Sequence, residues 1–188
     1  MALLLLTAAR GCDKLIRMQL IASFQVDHTR LQPGIYVSRT DAVGAERVTT
    51  FDVRMKAPNR EATLAPAAMH TIEHIVATYL RNDPEWKDRI VYWGPMGCLT
   101  GSYLIVKGAV TPAEICPLVL AAFRHCRDYT GEVPGTTAET CGNYRLHDLA
   151  AAKREAAEYV QRLEREPSFD YPTAARAVTD RGLVFHDA

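Results

Sequence analysis

A chain of 188 residues, 48% hydrophobic and 23% charged, has the size and composition of one globular domain, able to bury roughly 70% of its unfolded surface without staples. Lys plus Arg number 22 and Asp plus Glu 22, a formal net charge of zero, so no global basic field exists to hold a nucleic acid or an anionic membrane, and neither is expected as a partner. Five cysteines, an odd number, fit reduced thiols in a cytoplasmic protein better than a secreted disulfide framework.

Residues 2–9 are apolar like the core of a signal peptide, but no positive residue precedes them and the run is too short to span a bilayer. Residues 1–17 are read as a disordered or mis-called extension, with Met18 as the working start. The domain proper is expected over 18–166, followed by a tail over 167–188 that has no clear period.

Within the domain, residues 20–27 and 48–56 alternate and are rich in Val, Phe, Ile and Thr, which predicts two strands, with a further short strand at 35–37 after Pro33-Gly34. The period then changes. Over 66–81 the apolar residues Met69, Ile72, Ile75, Val76, Tyr79 and Leu80 recur at helical spacing, one buried stripe. Strands at 89–93 and 102–107 flank a Gly-Pro-Met-Gly-Cys-Leu-Thr-Gly loop. Thr111-Pro112-Ala113-Glu114 is a capping box that opens a helix toward Tyr129, with an irregular start expected at Pro117. A Gly-, Pro- and Thr-bearing loop over 131–140 leads to a last helix over 148–164. Early strands, interspersed helices and no β-α-β alternation predict a single α+β domain with an antiparallel sheet packed against helices.

His70-Thr71-Ile72-Glu73-His74 lies inside the first helix. Residues four apart share a helix face, so His70 and His74 can offer two imidazole nitrogens to one metal while Glu73 beside them moves a proton. The order is that of the inverted zincins. A catalytic metal usually takes a third protein ligand and keeps one open position, and Cys141, in Cys141-Gly142-Asn143-Tyr144, lies in a loop leading into a helix. Cys98 lies among three glycines, at positions 94, 97 and 101, that leave its thiol unencumbered. Such a thiol becomes a nucleophile or an acid/base when a cation lowers its pKa. Cys116 and Cys126 fall in the second helix, where a small buried thiol is the ordinary reading. Three functions fit these residues: a metal-dependent enzyme that uses Cys98, an inverted-zincin metallopeptidase, and a metal-stabilised binding domain in which Cys98 is incidental.

From about residue 23 to residue 163 the chain resembles the S-ribosylhomocysteine lyase (LuxS) family. The likeness is carried by Ser23-Phe24-Gln25-Val26-Asp27-His28-Thr29, Phe51-Asp52-Val53-Arg54, Pro58-Asn59, His70-Thr71-Ile72-Glu73-His74, Pro95-Met96-Gly97-Cys98-Leu99-Thr100-Gly101 and Cys141-Gly142-Asn143-Tyr144, in that order. Two features depart from the family's pattern, Tyr92-Trp93-Gly94 before the Pro-Met-Gly-Cys motif and Leu99 after it. The resemblance implies a carbon-sulfur lyase that converts S-ribosylhomocysteine to homocysteine and 4,5-dihydroxy-2,3-pentanedione, the precursor of the quorum-sensing signal autoinducer-2. It implies that His70, His74 and Cys141 hold one divalent metal, Fe2+ in the native family, with Zn2+ or Co2+ as substitutes. Glu73 and Cys98 would be the acid/base pair, and Ser23, His28 and Arg54 would bind or polarise the ribosyl part of the substrate. It also implies a homodimer with the active sites at the subunit interface, where the last three residues come from the neighbouring chain.

Overall fold

The computed structural model describes residue 24 and residues 26–172. Residues 1–17, Ser23 and the tail beyond residue 172 lie outside the described residues. Among the described residues, four strands and three α-helices follow in order, with one 3-10 turn at Lys87–Arg89: β1 (Gly34–Val43), β2 (Glu46–Arg54), α1 (Pro66–Asn82), β3 (Ile90–Pro95), β4 (Gly101–Lys107), α2 (Pro112–Asp128) and α3 (Leu149–Arg165). The four strands make one antiparallel sheet in the order β1-β2-β4-β3, which is the predicted α+β class.

The core lies between one face of the sheet and the helices. On β2, Phe51 and Val53 are fully buried with Ile35 of β1 and Leu104 of β4. The α1 stripe of Met69, Ile72, Ile75, Val76 and Leu80 closes on this layer. Helix α3 packs against α1 and α2, with Phe123 and Tyr159 meeting edge to face at 4.8 Å between ring centres. Side chains alternate along a strand, so Asp52 and Arg54 project to the face of β2 opposite Phe51 and Val53. Both are nonetheless buried, which means that a second polar layer is built on that face.

The helices begin and end close to the predicted positions, for local reasons. Thr111 and Glu114 make the reciprocal capping box of α2, and Asp148 caps α3 by accepting from the Ala151 N–H. The irregular start expected at Pro117 does not occur: α2 runs unbroken from Pro112 to Asp128 with Pro117 inside it. Cys116 and Cys126 are buried in it as expected, and burial pushes the Cys126 thiol up to about 12.

Two strand predictions are corrected. The strand expected over 35–37 runs the full length of β1, whose outer half is an exposed edge carrying the Arg39–Asp41 pair and so hides its alternation. In the strand expected over 20–27, the described residues Phe24, Val26 and Asp27 make no strand pairing. The Asp27 carboxylate instead accepts from the Thr29 N–H at 3.0 Å and hydroxyl at 2.6 Å, a local turn that competes with a ladder. Among the described residues no helix is long and apolar enough to cross a membrane.

Candidate active site

Helix α1 buries its apolar stripe and leaves His70, Glu73 and His74 half-buried on the flank that faces the segment 129–148. That segment fixes both rings. His70 donates its Nδ1–H to the Leu146 carbonyl at 2.9 Å, and His74 donates its own to the Pro134 carbonyl at 2.6 Å. A carbonyl only accepts, so both imidazoles are held with Nε2 bare. The Pro134 contact depends on the next residue, Gly135, whose φ of +70° suits glycine and where a Cβ would come within 3.3 Å of His74 Nδ1.

Cys141 completes the group. Its Sγ lies 3.4 Å from His70 Nε2 and 3.9 Å from His74 Nε2, and it accepts from the Asn143 N–H at 3.4 Å. The sulfur is seated by a turn in which the Cys141 N–H reaches the Thr137 carbonyl at 3.0 Å. Separations of this order close onto a single ion with short movements, given metal–ligand bonds of about 2.0–2.3 Å.

A third imidazole, His147, stands with them: one donor atom from each of His70, His74, Cys141 and His147 falls within 4.8 Å of the others. Thr71 sets its tautomer. The Thr71 hydroxyl donates to the Ala67 carbonyl at 2.8 Å and accepts from the Asp148 N–H at 2.9 Å, so at 3.2 Å from His147 Nδ1 it accepts again. His147 Nε2 is therefore bare, buried and without a hydrogen-bond partner. An ion binds an imidazole in the ring plane. The His70 and His74 planes cross at 86° and can share one, whereas the His70 and His147 planes lie 21° apart at 4.1 Å between centres and cannot. The His74 and His147 planes also cross steeply, at 67°, so the group of four offers donors for one metal ion, with His147 stacked against the His70 ring. Burial and the neighbouring His70 and His74 hold the His147 pKa below the usual imidazole value.

Cys98 belongs to a different cluster on the second face of the sheet. A tight turn from Met96 to Leu99, closed by a 2.9 Å backbone bond, presents the thiol, and Leu99 is held at φ 56°, a strained conformation for a leucine. Arg54 binds Asp52 with two donors, Nε to Oδ1 at 3.0 Å and Nη2 to Oδ2 at 2.6 Å. Its Nη1 donates to the Thr100 hydroxyl at 2.6 Å and lies 3.7 Å from Cys98 Sγ. Thr100 Oγ1 accepts from Arg54 and keeps its own proton for the sulfur 3.1 Å away. Burial pushes the Cys98 thiol up, but the Thr100 hydrogen bonds and the Arg54 charge outweigh it and hold the pKa below the ordinary value.

Five of the site residues named from sequence line two cavities. His70 and Glu73 line one of about 330 Å³; His28, Arg54 and Cys98 line another of about 250 Å³; Met96 and Gly97 border both. His28 is oriented by its Nδ1–H, which donates to the Val26 carbonyl at 2.9 Å. Sequence reasoning passed over Asp52, Thr100 and His147. The first two carried a signal, since each lies two residues from a named one, Asp52 on the same face of β2 as Arg54 and Thr100 just after Cys98.

Residues 21–169 match the model of a family described as S-Ribosylhomocysteinase (LuxS). An S-ribosylhomocysteine lyase of Phocaeicola vulgatus is 56% identical over 159 residues, 83% of this chain and 99% of the relative. One of Porphyromonas gingivalis is 54% identical over 82% of this chain and 99% of its own length. One of Borreliella burgdorferi is 46% identical over 82% of this chain and 100% of its own.

Proposed function

Because the chain belongs to the S-ribosylhomocysteinase (LuxS) family, we propose that it is an S-ribosylhomocysteine lyase, cleaving the thioether to homocysteine and 4,5-dihydroxy-2,3-pentanedione. The observation that carries this reading is the pairing of a two-histidine, one-thiol metal site with a second cavity built around an activated cysteine.

The chemistry needs both halves. A thioether at C5 of a ribose is released only once a carbonyl stands at C3, where it makes the C4 proton acidic and the C5 thiolate a leaving group. The carbonyl must therefore move from C1 to C2 to C3, each shift taking a proton from a hydroxyl-bearing carbon and returning one to its neighbour, with no net redox change. Loss of the C4 proton then expels the thiolate, which is protonated to homocysteine. His70, His74 and Cys141 would hold one divalent ion, Fe2+ as expected from the family with Zn2+ or Co2+ as alternatives, and its Lewis acidity would acidify protons beside a sugar carbonyl. Glu73, in the same cavity as His70, and Cys98, whose pKa is lowered by the Thr100 hydrogen bonds and the Arg54 charge, move the protons. Arg54 is buried and committed to Asp52 and Thr100, so its charge serves the substrate mainly through Cys98. His28, which lines the Cys98 cavity, is assigned to binding the sugar, and Ser23 is assigned the same role by resemblance to the family.

The division into two cavities supports a homodimer with shared sites, in which the partner's Cys98 cavity faces the metal of this chain. Among the described residues all four cysteines are free, one of them a proposed metal ligand, which suits a reducing cytoplasm. Thiol at the metal, where inverted zincins place a carboxylate, favours the lyase over a peptidase.

Free-thiol release from S-ribosylhomocysteine tests the reading. The purified protein is expected to release one thiol per substrate and to lose this on chelation. Glu73→Gln and Cys98→Ala are expected to keep one metal per chain while turnover falls at least ~100-fold. Metal-free protein that still turns over, or near-parental rates in either variant, would remove the corresponding group from the mechanism.

A further inference from the structure

The segment 166–172 follows α3 and returns across the sheet. The Ser168 carbonyl accepts from the Ile35 N–H at 2.9 Å, adding one ladder bond to the outer edge of β1. Gly34 makes room for it, since a Cβ there would come within 2.3 Å of the Ser168 carbonyl oxygen. Ser168 Oγ also meets the Tyr36 hydroxyl at 2.9 Å. These contacts deliver Tyr171 to the polar face. Its ring stacks on Tyr36 at 4.7 Å between centres and 12° between planes. Its hydroxyl donates to Asp52 Oδ2 at 3.1 Å, the oxygen that also receives Arg54 Nη2. The same residue lines the Cys98 cavity.

We propose that Tyr171 is a positioning residue of the active site: through Asp52 it fixes Arg54 beside Cys98, and the segment that carries it forms a wall of the Cys98 cavity. The inference rests on the reading of Cys98 as an acid/base, and Tyr171 lies beyond the residues matched by the family model. Asp52 is flanked across the sheet by Tyr36 on β1 and Tyr103 on β4, so the Tyr171 hydroxyl comes from outside the sheet. A donor on Oδ2 draws carboxylate charge away from Arg54 and leaves more of the guanidinium field for the sulfur. The titratable and charged groups facing the sulfur are Asp52, Arg54, His28, Tyr103 and Tyr171.

Tyr171→Phe keeps the stack and removes only the hydroxyl. In the metal-loaded full-length protein, iodoacetamide alkylation of Cys98 is followed against pH by peptide-resolved mass spectrometry, beside thiol release. The phenylalanine variant is expected to melt like the parent. At a fixed pH below the midpoint its Cys98 alkylation rate should fall about threefold, half a pH unit of thiolate. Its kcat/KM should fall about tenfold, mostly in kcat. Tyr171→Ala, which also opens the wall, should show the same upward midpoint with a higher plateau rate. Superimposable Cys98 profiles for parent and both variants would overturn the proposal, even if turnover fell, because the effect would then bypass Arg54. A parent that alkylates as described but releases no thiol from the substrate would refute the lyase reading and leave the positioning result standing.

Discussion

At the residue scale, the reactivity of Cys98 is set by a chain of donors that can be broken one link at a time. Asp52 holds Arg54, Arg54 engages Thr100, and Thr100 and Arg54 both face the sulfur. The thiol is ionised at lower pH than an ordinary cysteine because its charged form is the one these groups favour. Arg54→Ala removes the cation and leaves the buried Asp52 with the Tyr171 hydroxyl but no opposite charge, so the midpoint of Cys98 alkylation is expected to rise toward and beyond that of a free thiol. Thr100→Val should move it in the same direction by less. An unchanged midpoint in Arg54→Ala would show that the thiolate does not depend on the guanidinium. Arg54 and Cys98 were legible as separate motifs, but their contact joins residues 44 apart in sequence, and no local pattern announces it. His147 was missed for a similar reason: its partner Thr71 is 76 residues away, and only the fold stacks its ring on His70.

At the element scale, the metal group joins a rigid helix to a segment with little core of its own. Helix α1 is fixed by its buried stripe, whereas 129–148 is held by turns, by two carbonyls on histidine rings and by the Cys141 sulfur. A bound ion stabilises the folded state by its own mass action, about 2.7 kcal/mol at a hundredfold excess over Kd. Chelation is therefore expected to lower the melting temperature and to raise amide exchange over 130–147 while α1 keeps its protection. Uniform loss of protection, or none, would count against an ion organising this segment. Helix periodicity and the capping box made α1, α2 and α3 readable because each buries one stripe and starts on a local signal. Strand length was harder to read. The exposed half of β1 shows no alternation, and residues 20–27 looked extended by composition although Asp27 folds back on Thr29.

At the scale of the whole molecule, His70 and Glu73 line one cavity and Cys98 another that meets it at Met96 and Gly97, and the proposed second copy would bring the two kinds of cavity together. Arg54 and Cys98 are in contact within one chain, which corrects the expectation that Arg54 reaches Cys98 from the neighbouring chain; the two travel together to the same site, whereas Glu73 shares a cavity with His70. Mixing Cys98→Ala with Glu73→Gln chains should then regenerate about a quarter of parental activity, because half the dimers are hybrids and each has one intact site. Mixing Arg54→Ala with Cys98→Ala should regenerate none. Activity in the second mixture and not the first, after verified subunit exchange, would place Cys98 with the metal of its own chain. The single antiparallel domain was readable from the order of strands and helices, but its two polar centres on different faces of one sheet were not. The Ser168 carbonyl on Ile35 has a further consequence. A sheet edge is a template onto which any extended chain can add. Here the inner half of the outermost strand already carries a ladder bond, and its outer half bears Arg39 and Asp41. Strand-by-strand accretion of one molecule on another is discouraged along the whole of that edge.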